Sequence, residues 1–187
     1  MKFWSVQSKE VLDIINDKGE YRPQVTESRF IASNPDLFDL YQTMVNIYNN
    51  INKTNYNGLI YTFFAEDYNT RQPLYFENIQ QFQDIIEARK QSIKSLWHQL
   101  LERDSYILEL TYSGTFNPLF IDINDFQFLM PPIQYLYPYN SKDIRRIVND
   151  LSVGRLPYPI FPSGLIQAHV PYIRKENIVN IYPMFEI

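Results

Sequence analysis

The chain has no cysteine and only five glycines among its 187 residues. Without thiols it can form no disulfide, thiolate metal site or cysteine nucleophile. The same lack agrees with a reducing compartment. Few glycines leave little room for a phosphate-cradling loop. No P-loop, dinucleotide-binding glycine pattern, nucleophile elbow or zinc-protease histidine pair occurs. Histidine is also scarce, with only His98 and His169. A metal centre needs several ligands at fixed spacing, so neither a metal nor a cofactor is expected. No apolar run approaches the length of a membrane crossing, so no membrane partner is expected. The opening MKFWSVQSKE lacks the basic-then-apolar layout of a signal peptide, and the expected location is cytoplasmic. Seventeen basic residues against 21 acidic give a net charge of -4. That balance weighs against non-specific nucleic-acid binding but is compatible with a local basic patch.

Aromatic residues, in contrast, are plentiful at 16%, with 15 Tyr and 13 Phe. Such an excess serves a ring-packed core or a Tyr-rich contact surface. Few Ala and Gly beside many Asn, Ile, Tyr and Phe also suit an AT-rich coding sequence, as in a low-GC bacterium or its phage. The length fits one domain over residues 1–187 and suffices for a core without covalent staples.

Periodicity divides the chain into strands and helices. From Ser105 to Pro132, Tyr106, Leu108, Leu110 and Tyr112 alternate with their neighbours. So do Leu119, Ile121 and Ile123, then Phe126, Phe128 and Met130. With Ser113-Gly114 and Asn124-Asp125 as turns, this pattern predicts a three-stranded meander as the sheet core. Lys2 to Val6 predicts a first strand, and Ser8 to Gly19 a capped helix. Asn34-Pro35-Asp36 opens a long helix lined by Leu40, Tyr41, Met44 and Tyr48. LIYTFFA, residues 59–65, predicts a strand covered on both faces. A helix over 78–103 has a polar gap at Arg89-Lys90, and another starts at Ser141 and stops at Gly154. Leu165 to Val170 and Val179 to Ile187 close the chain as strands. The fold class predicted is α+β: a single domain, mainly antiparallel sheet with helices packed against it.

Four stretches carry a resemblance. They are FWSVQSKEVLDII followed by Gly19-Glu20-Tyr21, SRFIASNPDL, FIDINDFQFLMPP and FPSGLIQAHVPYIRKENIVNIYPMF. Together they resemble an uncharacterised bacterial domain family of unknown function, whose members open with a Leu-Trp-Thr-Ile-Gln-like strand. Trp4 and Gln7 match that opening, while Phe3 and Ser5 stand in place of its Leu and Thr. The resemblance spans nearly the full length. It implies a self-contained bacterial or phage domain and carries over no catalytic residue.

The chemistry is read against its plainer alternatives. Asp122, Asn124 and Asp125 suggest a fragment of a cation loop, but the central Gly and distal Glu are missing, and an exposed strand face is favoured. Glu66-Asp67, at the end of a buried strand, is a better site candidate, but no Glu-x-Lys lies nearby to complete a nuclease-like metal centre, and the plainer reading is solvated charges opening a loop. Trp4 is expected in the core with its N–H on a carbonyl. His169, with Gln167 on the same strand face, is expected to make a structural hydrogen bond. Tyr135, Tyr137, Tyr139, Tyr158 and Phe161 flank or lie in a proline-rich stretch. They form either an exposed partner-binding patch or a lid folded over the sheet.

Two functions follow as expectations. The first is a non-catalytic, protein-binding domain, with those five aromatics as its anchors. It would act as an inhibitor by surface occlusion, in a bacterial or phage defence or counter-defence setting. The second is a nucleotide-like ligand-binding or ADP-ribosyltransferase-like domain, with Gln7, Arg29, Gln167 and His169 lining one cleft.

Overall fold

In a computed structural model of the protein, the described residues are 1–33, 35, 38–67, 69–90, 104–114, 116–123, 141–157 and 163–185. The elements are β1 (Lys2–Ser8), α1 (Lys9–Lys18), β2 (Glu20–Tyr21), α2 (Arg29–Ser33) and α3 (Phe38–Asn52). Next come β3 (Ile60–Glu66), β4 (Pro73–Leu74), α4 (Ile79–Ala88), β5 (Ser105–Thr111) and β6 (Leu119–Asp122). The chain ends with α5 (Ser141–Ser152), β7 (Leu165–Val170), β8 (Ile173–Arg174) and β9 (Ile178–Pro183). The architecture is α+β, an antiparallel sheet with helices against it.

Strand order in the main sheet is β6-β7-β3-β1-β5-β9, with β4 on β3, and β2 and β8 form a separate two-stranded sheet. Every pairing is antiparallel. This order corrects the predicted meander. β5 lies between β1 and β9, while β6 pairs with β7 at the opposite edge. Alternation in the sequence reports which face a residue takes, not which strand lies alongside. The segment after Thr111 therefore crosses the sheet and is not a hairpin. The predicted strand over Phe126–Met130 lies outside the described residues.

One cross-strand row fixes the faces. Ile121, Gln167, Phe63, Trp4, Glu109 and Asn180 are successive register partners across six strands. Direct partners point the same way, so all six share one face. Trp4, Phe63 and Ile121 join Tyr41, Met44 and Tyr48 of α3, Phe82 and Ile86 of α4, and Ile147 and Leu151 of α5 in one core. On the other face Phe3, Ile60, Phe64, Leu108 and Ile166 pack against Leu12 and Ile15 of α1 and Ile173 of β8.

Local chemistry explains the ends of these elements. Gly19 has φ 81°, and its N–H closes α1 on the Ile15 carbonyl, a left-handed position that costs other residues strain. Asn78 caps α4 by accepting from the Gln81 N–H at 3.0 Å. The polar gap at Arg89 coincides with the end of α4, where Arg89 is the C-cap. Trp4 is completely buried and donates from Nε1 to the Phe76 carbonyl at 3.1 Å, as the sequence indicates. It stacks between Phe82 and Tyr182, at centroid distances of 5.5 and 5.9 Å. The β9 edge carries a register bulge opposite Glu109/Leu110 and ends at Pro183, two features that discourage unwanted strand addition.

Candidate functional site

Two expectations about buried charge are corrected. Asp122 does not sit on an exposed strand face: it is fully buried, and both its oxygens accept from the Ser163 N–H, at 3.2 and 2.9 Å. The chain turning back at Ser163 toward β7 covers it. Glu66 is not solvated either. Its side chain is 1% exposed and meets Arg71 at 2.7 Å. Burial raises its carboxyl pKa, the Arg71 charge opposes that rise, and Asp122 adds to it. Asp67, the next residue, is the expected loop opener, accepting from the Asn69 and Thr70 N–H groups.

The cleft expected from Gln7, Arg29, Gln167 and His169 is not formed. Gln7 lies three positions beyond Trp4 on β1, which puts it on the α1 face, whereas Gln167 and His169 share the Trp4 face. The sheet itself separates them. Gln7 donates to the Ser5 hydroxyl at 2.8 Å, and that hydroxyl donates to the Tyr61 carbonyl at 2.7 Å. Arg29 opens α2, and its side chain is not among those described. His169 is fully buried, with Nδ1 3.2 Å from the Leu119 carbonyl. A carbonyl can only accept, so Nδ1 carries the proton. Burial lowers the ring's pKa to about 4, so the imidazole is neutral. Tyr135, Tyr137, Tyr139, Tyr158 and Phe161 lie outside the described residues, as do His98, Asn124 and Asp125.

The exposed chemistry gathers instead around the small β2–β8 sheet. Glu20 faces Arg174 and Tyr21 faces Ile173. Arg22 follows β2, and Pro23 then sets the chain against the loop before β3. The Val25 N–H donates to the Asn57 carbonyl, and a Cβ on Gly58 would meet the Pro23 oxygen at 2.5 Å. Only glycine admits this approach. It brings the Arg22 guanidinium over Tyr56, 5.8 Å from the ring centroid, and over Tyr172 at 5.9 Å. Arg174 lies over Tyr172 at 4.6 Å. These are cation–π distances.

Ring contacts hold the two side chains, Tyr56 against Tyr48 and Tyr172, and Tyr172 against Tyr112, and hydrogen bonds tie down the backbone of each. The Asn49 side chain donates to the Tyr56 carbonyl at 2.8 Å and accepts from the Tyr56 N–H at 2.9 Å. The Tyr172 carbonyl accepts from the Tyr112 hydroxyl at 2.6 Å, and the Tyr112 ring meets Phe3 edge-on in the core. Burial raises the Tyr112 hydroxyl's pKa far above its ordinary value, so it remains a donor.

One carboxylate links the two arginines. Glu20 takes Arg22 Nε at 2.8 Å and Arg22 Nη2 at 3.2 Å, and Arg174 Nε at 3.1 Å. The hydrogen bond from Arg22 lowers its pKa, burial opposes it, and the Arg174 hydrogen bond and both guanidinium charges leave it below the usual carboxylate value. Arg22 and Arg174 remain 49% and 40% exposed, so they are ordered yet reachable. Arg174 also has Nη1 3.7 Å from Glu176 Oε1, so its charge is shared between two carboxylates. The Lys175 N–H donates to the Gly19 carbonyl and closes the cluster.

The sequence marks Gly19-Glu20-Tyr21 only as part of a resemblance and gives no sign that Arg22, Tyr56, Tyr172 and Arg174 meet. Two-residue strands leave no periodicity to read, and only their pairing brings these side chains together. No helix among the described residues is long and apolar enough to cross a membrane, and no group of three or more metal-ligating side chains occurs among them. No family model, curated protein or solved structure matches the chain.

Proposed function

We propose that the protein is a non-catalytic binding domain that docks an acidic surface of a partner protein on the Arg22–Arg174–Tyr172 platform. One observation carries this reading: two half-exposed guanidinium groups lie within about 6 Å of the centroids of tyrosine rings whose residues are tied to the core. Arg and Tyr are the residues that most often dominate binding energy at protein interfaces. Their pre-ordering lowers the entropy lost on docking. β9, the next strand in the chain, leaves Val179 and Ile181 about half exposed. A charged and aromatic centre suits a domain that works by covering its target.

Fluorescence anisotropy with a labelled Asp/Glu-rich peptide tests the proposal. Binding should weaken with salt, and Arg22→Ala and Arg174→Ala should each weaken it further. Equal binding by the wild type and the double arginine variant would refute the platform as the docking site.

A further inference from the structure

Glu20 occupies the platform's own anion-binding position. Its carboxylate takes the two-pronged fork of Arg22 and one prong of Arg174. Neither arginine depends on it for placement, because Arg22 rests on Tyr56 and Tyr172, and Arg174 on Tyr172. Glu20 itself is 35% exposed and free to swing outward. Ion pairs this accessible contribute little net stability, so displacing one costs little.

We infer that Glu20 is a built-in competitor: it holds the place of a partner's carboxylate, which an Asp or Glu side chain of an acidic protein segment takes over on docking. This rests on the binding reading above. The group now held there is itself a carboxylate, gripped by Arg22 Nε and Nη2 and by Arg174 Nε, and a partner's Asp or Glu side chain presents the same atoms. The planar fork of Arg22, already engaged by Glu20, has the shape that a carboxylate fills. The contact therefore sets a threshold: weak, singly charged encounters lose to Glu20, while a segment presenting several carboxylates wins through effective concentration.

The test uses the full chain and a fluorescein-labelled poly-glutamate peptide, with a phosphoserine peptide and single-stranded oligo-dT as comparison probes. Glu20→Gln keeps the side chain's size and removes its charge. It should tighten poly-glutamate binding by about fivefold, the scale of one exposed ion pair removed from competition. Glu20→Ala serves as a second variant with the same expected sign, and circular dichroism checks that each folds. If Glu20→Gln binds no tighter than wild type while the arginine variants still lose affinity, the competitor role is overturned and the platform stands. If poly-glutamate binds neither wild type nor Glu20→Gln, both readings fall. Tighter binding of oligo-dT or the phosphopeptide than of poly-glutamate would overturn the carboxylate as the recognised group.

Discussion

Replacing His169 by glutamine should remove a specific acid sensitivity from the fold. His169 sits fully buried on β7, across from Tyr61 of β3 and Leu119 of β6. Its Nδ1 bonds the Leu119 carbonyl, and Nε2 has no hydrogen-bond partner among the described residues. Protonation would place a charge and an unsatisfied N–H at Nε2, inside the core. Burial lowers the folded-state pKa from 6.5 to about 4. A base with a depressed folded pKa binds more protons when unfolded, so stability falls as pH drops through that window. Above pH 6.5 and below about 4 this residue contributes no slope. A drop of this size, at about 1.4 kcal/mol per pH unit, corresponds to about 3 kcal/mol. Glutamine can still donate to the Leu119 carbonyl but does not titrate. Urea unfolding across a pH series provides the measurement. The stability difference between wild type and His169→Gln should shrink by about 3 kcal/mol between neutral pH and pH 4. Parallel profiles for the two proteins over that window would refute the reasoning.

Arg71→Ala should cost about 3 kcal/mol, because it strands the Glu66 carboxylate in a nearly closed site, and adding Glu66→Gln should recover part of the loss. A double-mutant cycle by chemical denaturation reads the coupling. Trp4→Phe removes the bond to the Phe76 carbonyl and part of the stack on Phe82 and Tyr182, and should cost about 2 kcal/mol in the same assay. Gly58→Ala forces a methyl against the Pro23 carbonyl, and should cost about 2 kcal/mol and weaken binding of the acidic peptide by displacing Arg22 from Tyr56. A Gly58→Ala protein with wild-type affinity would separate the platform from that close approach.

Much of the fold is legible in the residues because its signals are local. Gly19 stops α1, Asn78 starts α4, and the continuous apolar run of β3 marks a strand with both faces covered. Neighbour relations are not local, and they misled in two ways. Ser113-Gly114 looks like a hairpin turn, yet β5 is claimed by the first and last strands of the sheet. Gln7 and Gln167 look like members of one site, yet their faces depend on a register that runs through Trp4 and Phe63. Asp122 reads as exposed because a short strand does not show what closes over its end. The platform is hidden for the same reason: Tyr56, Tyr172, Arg22 and Arg174 come from three separated segments, and no one of them is unusual alone.

The placement of β5 between β1 and β9 has a consequence for biosynthesis. On the ribosome, the first strand emerges early and can meet β3 and β5 as they appear, but the outer flank of β5 stays bare until residues 178–183 leave the tunnel. Until then Trp4 lacks its Tyr182 lid, and an incomplete chain presents a raw strand border to its neighbours. Nascent chains halted before β9 should therefore recruit chaperones and clump, whereas chains released beyond it should snap shut in one late step.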